Sequence, residues 1–170
     1  MRLTVVVFGP ALAGLLLLGG CATYVNIPAQ PGLWASSNPN DPTVQKIVIA
    51  ALSEVLAPRQ SGEPYRVRLA DGSSDATYNY VIARLPKGAR PAPFVADGEL
   101  YSVAGVYVRA RAGQVDIARP AAAEGRELVS VYLRYYLDGW HPYRVRPWRI
   151  PLGRAIEQAA PGRDIQPESQ

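Results

Sequence analysis

The sequence has a single cysteine, Cys21, and a single histidine, His141, among its 170 residues. One thiol cannot form an internal disulfide, so hydrophobic burial must stabilise the fold. A zinc site takes three or four histidine, cysteine or acidic ligands, and this shortage of ligands argues against one. We predict no metal and no other cofactor.

Catalytic motifs are also scarce. His141 follows the turn residues Asp138-Gly139, where a surface histidine is a simpler interpretation than a catalytic base. Residues 71–75 include oxygen ligands but lack the distal glutamate of a calcium loop. We predict a turn there. A carboxylate pair for glycoside hydrolysis could be assembled from Asp97, Glu99, Asp116 and Glu127, although their spacing does not require it. The sequence therefore favours a noncatalytic protein, with an enzyme of carboxylate chemistry as an alternative.

The longest apolar run lies at the N-terminus. It extends from Leu3 to Leu18, follows the positive Met1-Arg2, and ends at the segment Leu18-Gly19-Gly20-Cys21. A short positive region, an apolar region and small residues before a cleavage site make up a signal peptide. The four-residue segment resembles the lipobox of bacterial lipoproteins.

This resemblance implies that cleavage between Gly20 and Cys21 removes residues 1–20, and that the Cys21 thiol carries diacylglycerol. Acylation of the new amine, for example by palmitate, would anchor the chain firmly, because each buried methylene contributes about 0.8 kcal/mol. In Gram-negative lipoproteins an aspartate at the next position retains the protein in the inner membrane, so Ala22 implies the outer membrane, facing the periplasm. The alternative is a transmembrane anchor of roughly 17–25 residues, against which Pro10 and the glycines argue.

Removal of the signal peptide leaves about 150 residues, which suits one domain. The net charge of +4 is too small to indicate nucleic-acid binding without a dense basic patch, and it is compatible with anionic lipids or wall polymers.

Residues 21–40 contain Pro28, Pro31 and Pro39 and are predicted to form the lipidated cysteine and a flexible tether of roughly 25 Å. Trp34 within it is predicted to dock on the domain, the alternative being the membrane interface. A single domain over 41–160 and a disordered tail over 161–170 complete the chain.

A helix is predicted from Asn40 or Asp41 to Ala57, with Pro42 in its first turn. Its apolar residues have the spacing of one helix face: Val44, Ile47, Val48, Ala51, Leu52, Val55 and Leu56. Alternation of polar and apolar residues then predicts strands over 65–69, 77–85, 100–112, 114–119, 128–137 and 140–150. Turns are predicted at 71–74, at Gly113 and at Asp138-Gly139. A short helix is predicted over 153–160.

One helix followed by five or six antiparallel strands predicts an α+β domain with the N-terminal helix packed on a curved sheet. The order of elements is similar to that of cystatin-like and nuclear-transport-factor-like cones. A β-sandwich, or a partly open barrel with a helix at one end, is the alternative.

Arginine and aromatic residues alternate along the later strands and predict a binding patch. Its residues are Tyr107, Arg109, Arg111, Tyr132, Arg134, Tyr136, Arg144, Arg146 and Trp148. Arginine and tyrosine are enriched at interface hot spots, although arginine stems that cover tyrosine rings on a solvated sheet give the same pattern. We predict a membrane-anchored binding or scaffolding module of the cell envelope, with another envelope protein as its partner and no nucleic acid. A small-ligand carrier with a cavity between helix and sheet, or an envelope enzyme, is the alternative.

Overall fold

The computed structural model describes residues 24–32, 34–59, 63–92, 99–121 and 125–148. The predicted signal peptide, Cys21, the helix over 153–160 and the tail over 161–170 lie outside these residues. The elements in chain order are β1 (Tyr24–Ile27), α1 (Pro42–Leu56), β2 (Tyr65–Arg68), α2 (Asp75–Ile82), β3 (Ala89–Pro91), β4 (Leu100–Arg109), β5 (Ala112–Pro120), β6 (Arg126–Tyr136) and β7 (Gly139–Trp148).

The domain is of the α+β class, with one mixed sheet in the order β3-β2-β4-β5-β6-β7. β1 lies beside β4 off this path. β1 and β2 share one edge of β4, with β1 antiparallel to Val106–Arg109 and β2 parallel to Leu100–Ser102. The prediction of a wholly antiparallel sheet of five or six strands is wrong, because β2 runs parallel to both of its neighbours and β1 adds a further strand.

Helix α1 begins where the sequence provides a cap. The Asp41 carboxylate accepts a hydrogen bond from the Thr43 N–H at 2.7 Å, and Pro42 occupies the first turn. The apolar face of α1 is buried against β4, β5, β6 and β7 and forms the core with the valines and leucines of one sheet face. Because β1 precedes α1, the helix is not the first element of the domain.

The prediction of a strand over 77–85 is wrong, because this segment forms α2. Ser74 caps the helix by accepting from the Thr77 N–H at 3.3 Å, and Asp75 stands in the first turn. Thr77 and Val81 are one helical turn apart, and both are buried against the core. The turn predicted over 71–74 therefore leads into a helix, and β2, α2 and β3 form a parallel crossover unit.

The prediction of a flexible tether over 21–40 is wrong for β1 and for Ser36, which are held against the sheet. Val25 and Ile27 are buried in the core, because β1 pairs with β4 in full register. Ser36 donates its N–H to the Tyr24 carbonyl and accepts from the Asn26 N–H, both at 2.9 Å. Trp34 is fully exposed, so its predicted docking on the domain is also wrong.

The predicted turn at Gly113 lies instead at Ala110-Arg111, and Ala110 takes the left-handed conformation there with φ 54°. Gly113 lies inside β5, where a Cβ atom would come within 2.2 Å of Ile47 Cδ1. The glycine thus accommodates the close approach of α1 and does not form a turn. In the part of the chain that the structure describes, neither helix has the length and apolar character needed to cross a membrane.

Candidate binding face

Both helices pack on one face of the sheet, and we call the opposite face the outer face. Side chains alternate between the two faces along a strand. Val106, Val115 and Val131 lie opposite one another across β4, β5 and β6 and are fully buried in the helix-covered core. Their neighbours in sequence therefore project from the outer face.

The strand register brings the predicted patch residues together on the outer face. Tyr107 lies opposite Gln114, Gln114 opposite Tyr132, and Tyr132 opposite Arg144. Arg134 lies two residues from Tyr132 along β6, and Arg146 lies two residues from Arg144 along β7, so each is on the same face as its neighbour. The outer face carries Tyr107, Arg109, Tyr132, Arg134, Tyr136, Arg144, Arg146 and Trp148. Arg111 lies at the rim of this face, in the turn between β4 and β5.

Arginines of the outer face stack on its aromatic rings. The Arg146 guanidinium lies 4.1 Å from the ring centre of Trp148, and that of Arg144 lies 5.6 Å from the ring of Tyr132. Arg134 approaches Tyr143 at 5.7 Å. Such contacts contribute about 0.5–1 kcal/mol at exposed sites and hold the cations over the rings.

The charge of these arginines is not neutralised by neighbouring carboxylates. Arg134, Arg144 and Arg146 are all exposed, and none forms an ion pair with an acidic side chain among the described residues. Among the described residues of β4 to β7, Asp116 is the one acidic side chain that projects from the outer face, and it lies half-buried between β4 and β6. The face therefore presents an excess of positive charge.

A hydrogen-bonded chain of polar groups lies at the centre of the outer face. The Ser130 hydroxyl donates to Asp116 Oδ1, and Gln114 Nε2 donates to the same oxygen at 2.8 Å. Trp148 Nε1 donates to Ser130 Oγ at 2.9 Å, which fixes the indole. The chain joins β5, β6 and β7 and gives Trp148 a defined position beneath Arg146.

Tyr107 completes this centre on the β4 side. Burial raises the pKa of the Tyr107 hydroxyl, and the negative charge of Asp116 raises it further. The phenol therefore stays neutral at physiological pH and can donate or accept a hydrogen bond at the surface.

Sequence reasoning missed several arginines of the same face. Arg66 lies opposite both Arg90 and Leu100, and Arg68 lies opposite Ser102, because β2 is the parallel neighbour of β4. Arg126 belongs to the same face, and its guanidinium donates to Ser102 Oγ at 2.8 Å. The alternation of Tyr65 and Val67 with Arg66 and Arg68 was visible in the sequence, but the place of β2 in the sheet was not.

The candidate carboxylates that the structure describes each contact other side chains. Glu99 forms an ion pair with Arg59, and Glu127 forms one with Arg119 at 2.7 Å. Asp116 and Glu127 project from opposite faces of the sheet, since Asp116 lies opposite Ser130 on the next strand and Glu127 is three residues from Ser130. Asp97 lies outside the described residues.

The remaining candidates lie at the surface. His141 Nε2 lies 3.0 Å from Asp138 Oδ1, and both side chains are at least half exposed. No cluster of three potential metal ligands occurs within the described ranges. A small cleft with a volume of about 10 Å³ lies between α1 and α2, lined among others by Gln45, Leu69 and Thr77. It is separate from the helix–sheet contact, where Ile47 packs on Gly113.

Comparison of the chain with protein-family models, with curated proteins and with solved structures gave no match.

Proposed function

We propose that the protein is a lipid-anchored, noncatalytic binding module of the bacterial cell envelope, and that its outer face binds an envelope protein with an acidic surface. One observation carries this proposal. The register of β4 to β7 gathers the arginine and aromatic residues on a face that neither helix covers.

The chemistry of the face suits an acidic protein partner. Arginine offers a planar set of donors that pairs with carboxylates in bidentate fashion and is only weakly hydrated. Arg144 and Arg146 are held over Tyr132 and Trp148, so less side-chain freedom is lost when they bind. Aromatic and arginine side chains are also the residues most enriched at binding hot spots.

The anchor half of the proposal rests on the segment Leu18-Gly19-Gly20-Cys21 and on Ala22. Their resemblance to a lipobox supports cleavage before Cys21, lipidation of its thiol, and a periplasmic location at the outer membrane. The proposal also includes a cone-like domain of the cystatin or nuclear-transport-factor kind, supported by α1 packed across the sheet. The parallel strand β2 departs from that pattern.

The binding half is tested by crosslinking and affinity capture from membranes of cells that make the lipidated protein. The double substitution Arg144→Glu and Arg146→Glu should remove the captured partner or reduce its yield by at least tenfold. Arg84→Glu with Lys87→Glu is the matched control, because both residues are exposed near the end of α2, away from the outer face. An equal partner yield from both double variants would contradict the proposal.

The anchor half is tested separately with globomycin, which inhibits cleavage of lipoprotein signals. The precursor should accumulate in treated cells, and Cys21→Ser should release the protein from the membrane fraction. If neither change alters the size or the location of the protein, Cys21 is not lipidated.

A further inference from the structure

One end of the sheet brings together the start of β1 and two hairpin turns. Tyr24 lies opposite Arg109, and Arg134 lies opposite both Ala112 and His141. Arg109 and Ala112 are themselves paired across the β4–β5 turn. Neighbouring strands are about 4.8 Å apart, so this row of five residues is about 19 Å wide. We call the row and the turns beyond it the Tyr24 end of the sheet.

Large apolar side chains are exposed at the Tyr24 end. Leu137, in the turn between β6 and β7, is fully exposed, and Tyr24 and Tyr136 are about half exposed. Trp34 belongs to the same end. Ser36 pairs with Val25 and runs parallel to β1. Trp34, two residues before Ser36, therefore lies beyond the start of β1. Its indole is fully exposed. Several such side chains at one place indicate an interaction surface.

The same end is positively charged. Arg109, Arg111 and Arg134 are exposed there. Among the described residues of this end the one carboxylate is Asp138, which lies 3.0 Å from His141 Nε2. Arginines beside exposed aromatic and leucine side chains form a surface that suits anionic lipid headgroups with an apolar layer beneath them.

The position of Cys21 decides what faces this end. Only Ala22 and Thr23 lie between Cys21 and Tyr24, so the chain takes three residue steps from one to the other, and an extended chain spans at most about 3.3–3.6 Å per residue. A lipid on Cys21 would therefore hold Tyr24 within about 11 Å of the bilayer surface. A linker of this length cannot bring the opposite end of the sheet to the membrane while the Tyr24 end stands away from it.

We infer that the Tyr24 end lies directly on an anionic bilayer, with Trp34 and Leu137 at headgroup level and Arg109, Arg111 and Arg134 against lipid phosphates. This inference rests on the proposed lipidation of Cys21. Tryptophan and tyrosine are the side chains most enriched at the membrane interface, and basic residues near an anionic leaflet are attracted to its headgroups.

The inference fixes the orientation of the binding face. Ser130 lies four residues along β6 from Arg134, which places the centre of the outer face about 13 Å farther from the bilayer. Arg146 and Trp148 lie at that height or above it. The strands thus rise from the membrane, and the outer face stays open to a partner from the side.

A labelled cysteine at each end of the sheet tests this orientation. The full lipidated chain would carry Leu137→Cys, labelled with a polarity-sensitive nitrobenzoxadiazole group, in vesicles of phosphatidylethanolamine and phosphatidylglycerol. Ala121→Cys is the matched control, because Ala121 lies just beyond the other end of β5, about 30 Å along the strand from Ala112, and is partly exposed. The label at position 137 should shift to the blue and be quenched several-fold more by shallow nitroxide lipids than the label at position 121.

The other results separate the two proposals. Vesicles that carry the protein while both labels stay aqueous would overturn the membrane-facing end but keep the anchor. A blue shift at position 137 without nitroxide quenching would mean contact with protein, either another copy or a partner, and would also overturn it. If the chain does not float with the vesicles, and Cys21→Ser behaves in the same way, the proposed anchor fails and this inference fails with it.

Discussion

The side chain of Ile47 lies directly over the backbone of Gly113, where α1 crosses β5. A Cβ atom at Gly113 would approach Ile47 Cδ1 to 2.2 Å and Trp140 Cζ3 to 3.2 Å. The absence of a side chain at Gly113 therefore lets α1 approach the sheet closely at this point.

Gly113→Ala should therefore lower the free energy of unfolding by about 1–3 kcal/mol, because the added methyl group overpacks the contact. Urea denaturation measures the change. Ile47→Val removes the Cδ1 atom and should lower the free energy of unfolding of the natural chain by about 0.5–1.5 kcal/mol. In the Gly113→Ala background the same substitution should lower it by less, because it relieves the overpacked contact. If the two changes in unfolding free energy are additive, the Ile47 side chain does not contact Gly113 as described.

Asn40 links the starts of the two helices. Its Oδ1 accepts from the Ser74 N–H and from the Thr77 hydroxyl, both at 2.8 Å, and its Nδ2 donates to the Gly72 carbonyl at 3.0 Å. Asn40→Ala should lower the free energy of unfolding by about 1–3 kcal/mol, since it leaves partly buried polar groups without partners. Asn79→Ala on the exposed side of α2 is the control and should be close to neutral. Equal urea midpoints for the two variants would rule out this linking role.

Ser130 is 1% exposed and holds Trp148 and Asp116 in place on the outer face. Ser130→Ala should destabilise the domain by about 1–3 kcal/mol, because the indole N–H loses its acceptor and the carboxylate loses a donor. Calorimetry measures the loss. Ser53→Ala, on the partly exposed side of α1, should change stability little or raise it slightly. A Ser130→Ala melting temperature equal to that of Ser53→Ala would contradict the hydrogen-bonded chain.

The raised pKa of Tyr107 makes stability depend on pH at the alkaline end. The folded protein holds the phenolic proton more tightly than the unfolded chain, whose tyrosine pKa is near 10.0. The contribution is therefore complete below about pH 10 and is lost as the pH rises through the higher folded pKa. Tyr107→Phe cannot ionise, so its unfolding free energy should fall less steeply above about pH 10 in a series of urea titrations. Parallel curves for the two proteins would show that Tyr107 has no raised pKa.

The sequence predicted those elements whose residues carry a local signal. The apolar spacing from Val44 to Leu56 sufficed for α1, and alternation with Asp138-Gly139 sufficed for the hairpin of β6 and β7. The sequence of α2 predicts a strand instead, because Tyr78, Tyr80 and Ile82 occupy every second position, as they would on one face of a strand. The Ser74 cap and the burial of Thr77 and Val81 on one helical face favour the helix.

Long-range pairing could not be predicted from local patterns. β1 is short and followed by prolines, and only its pairing with β4 makes it a strand. The parallel position of β2 likewise depends on α2 as a crossover, whereas the alternation over 77–85 predicts a strand there. For the binding face, alternation was enough to place Tyr132, Arg134 and Arg144 together, whereas Arg66 and Arg90 joined it only through the position of β2.

The central claim is that the outer face binds an envelope protein, and photo-crosslinking in living cells tests it most directly. A photoreactive amino acid would replace Tyr143, which is 60% exposed beside Arg134 and Arg144, or Tyr80 on α2 as a control. The account predicts a discrete protein adduct from position 143 that disappears with Arg144→Glu and Arg146→Glu, and no such adduct from position 80. An adduct at position 80 alone, or one at position 143 that survives both charge reversals, would contradict it.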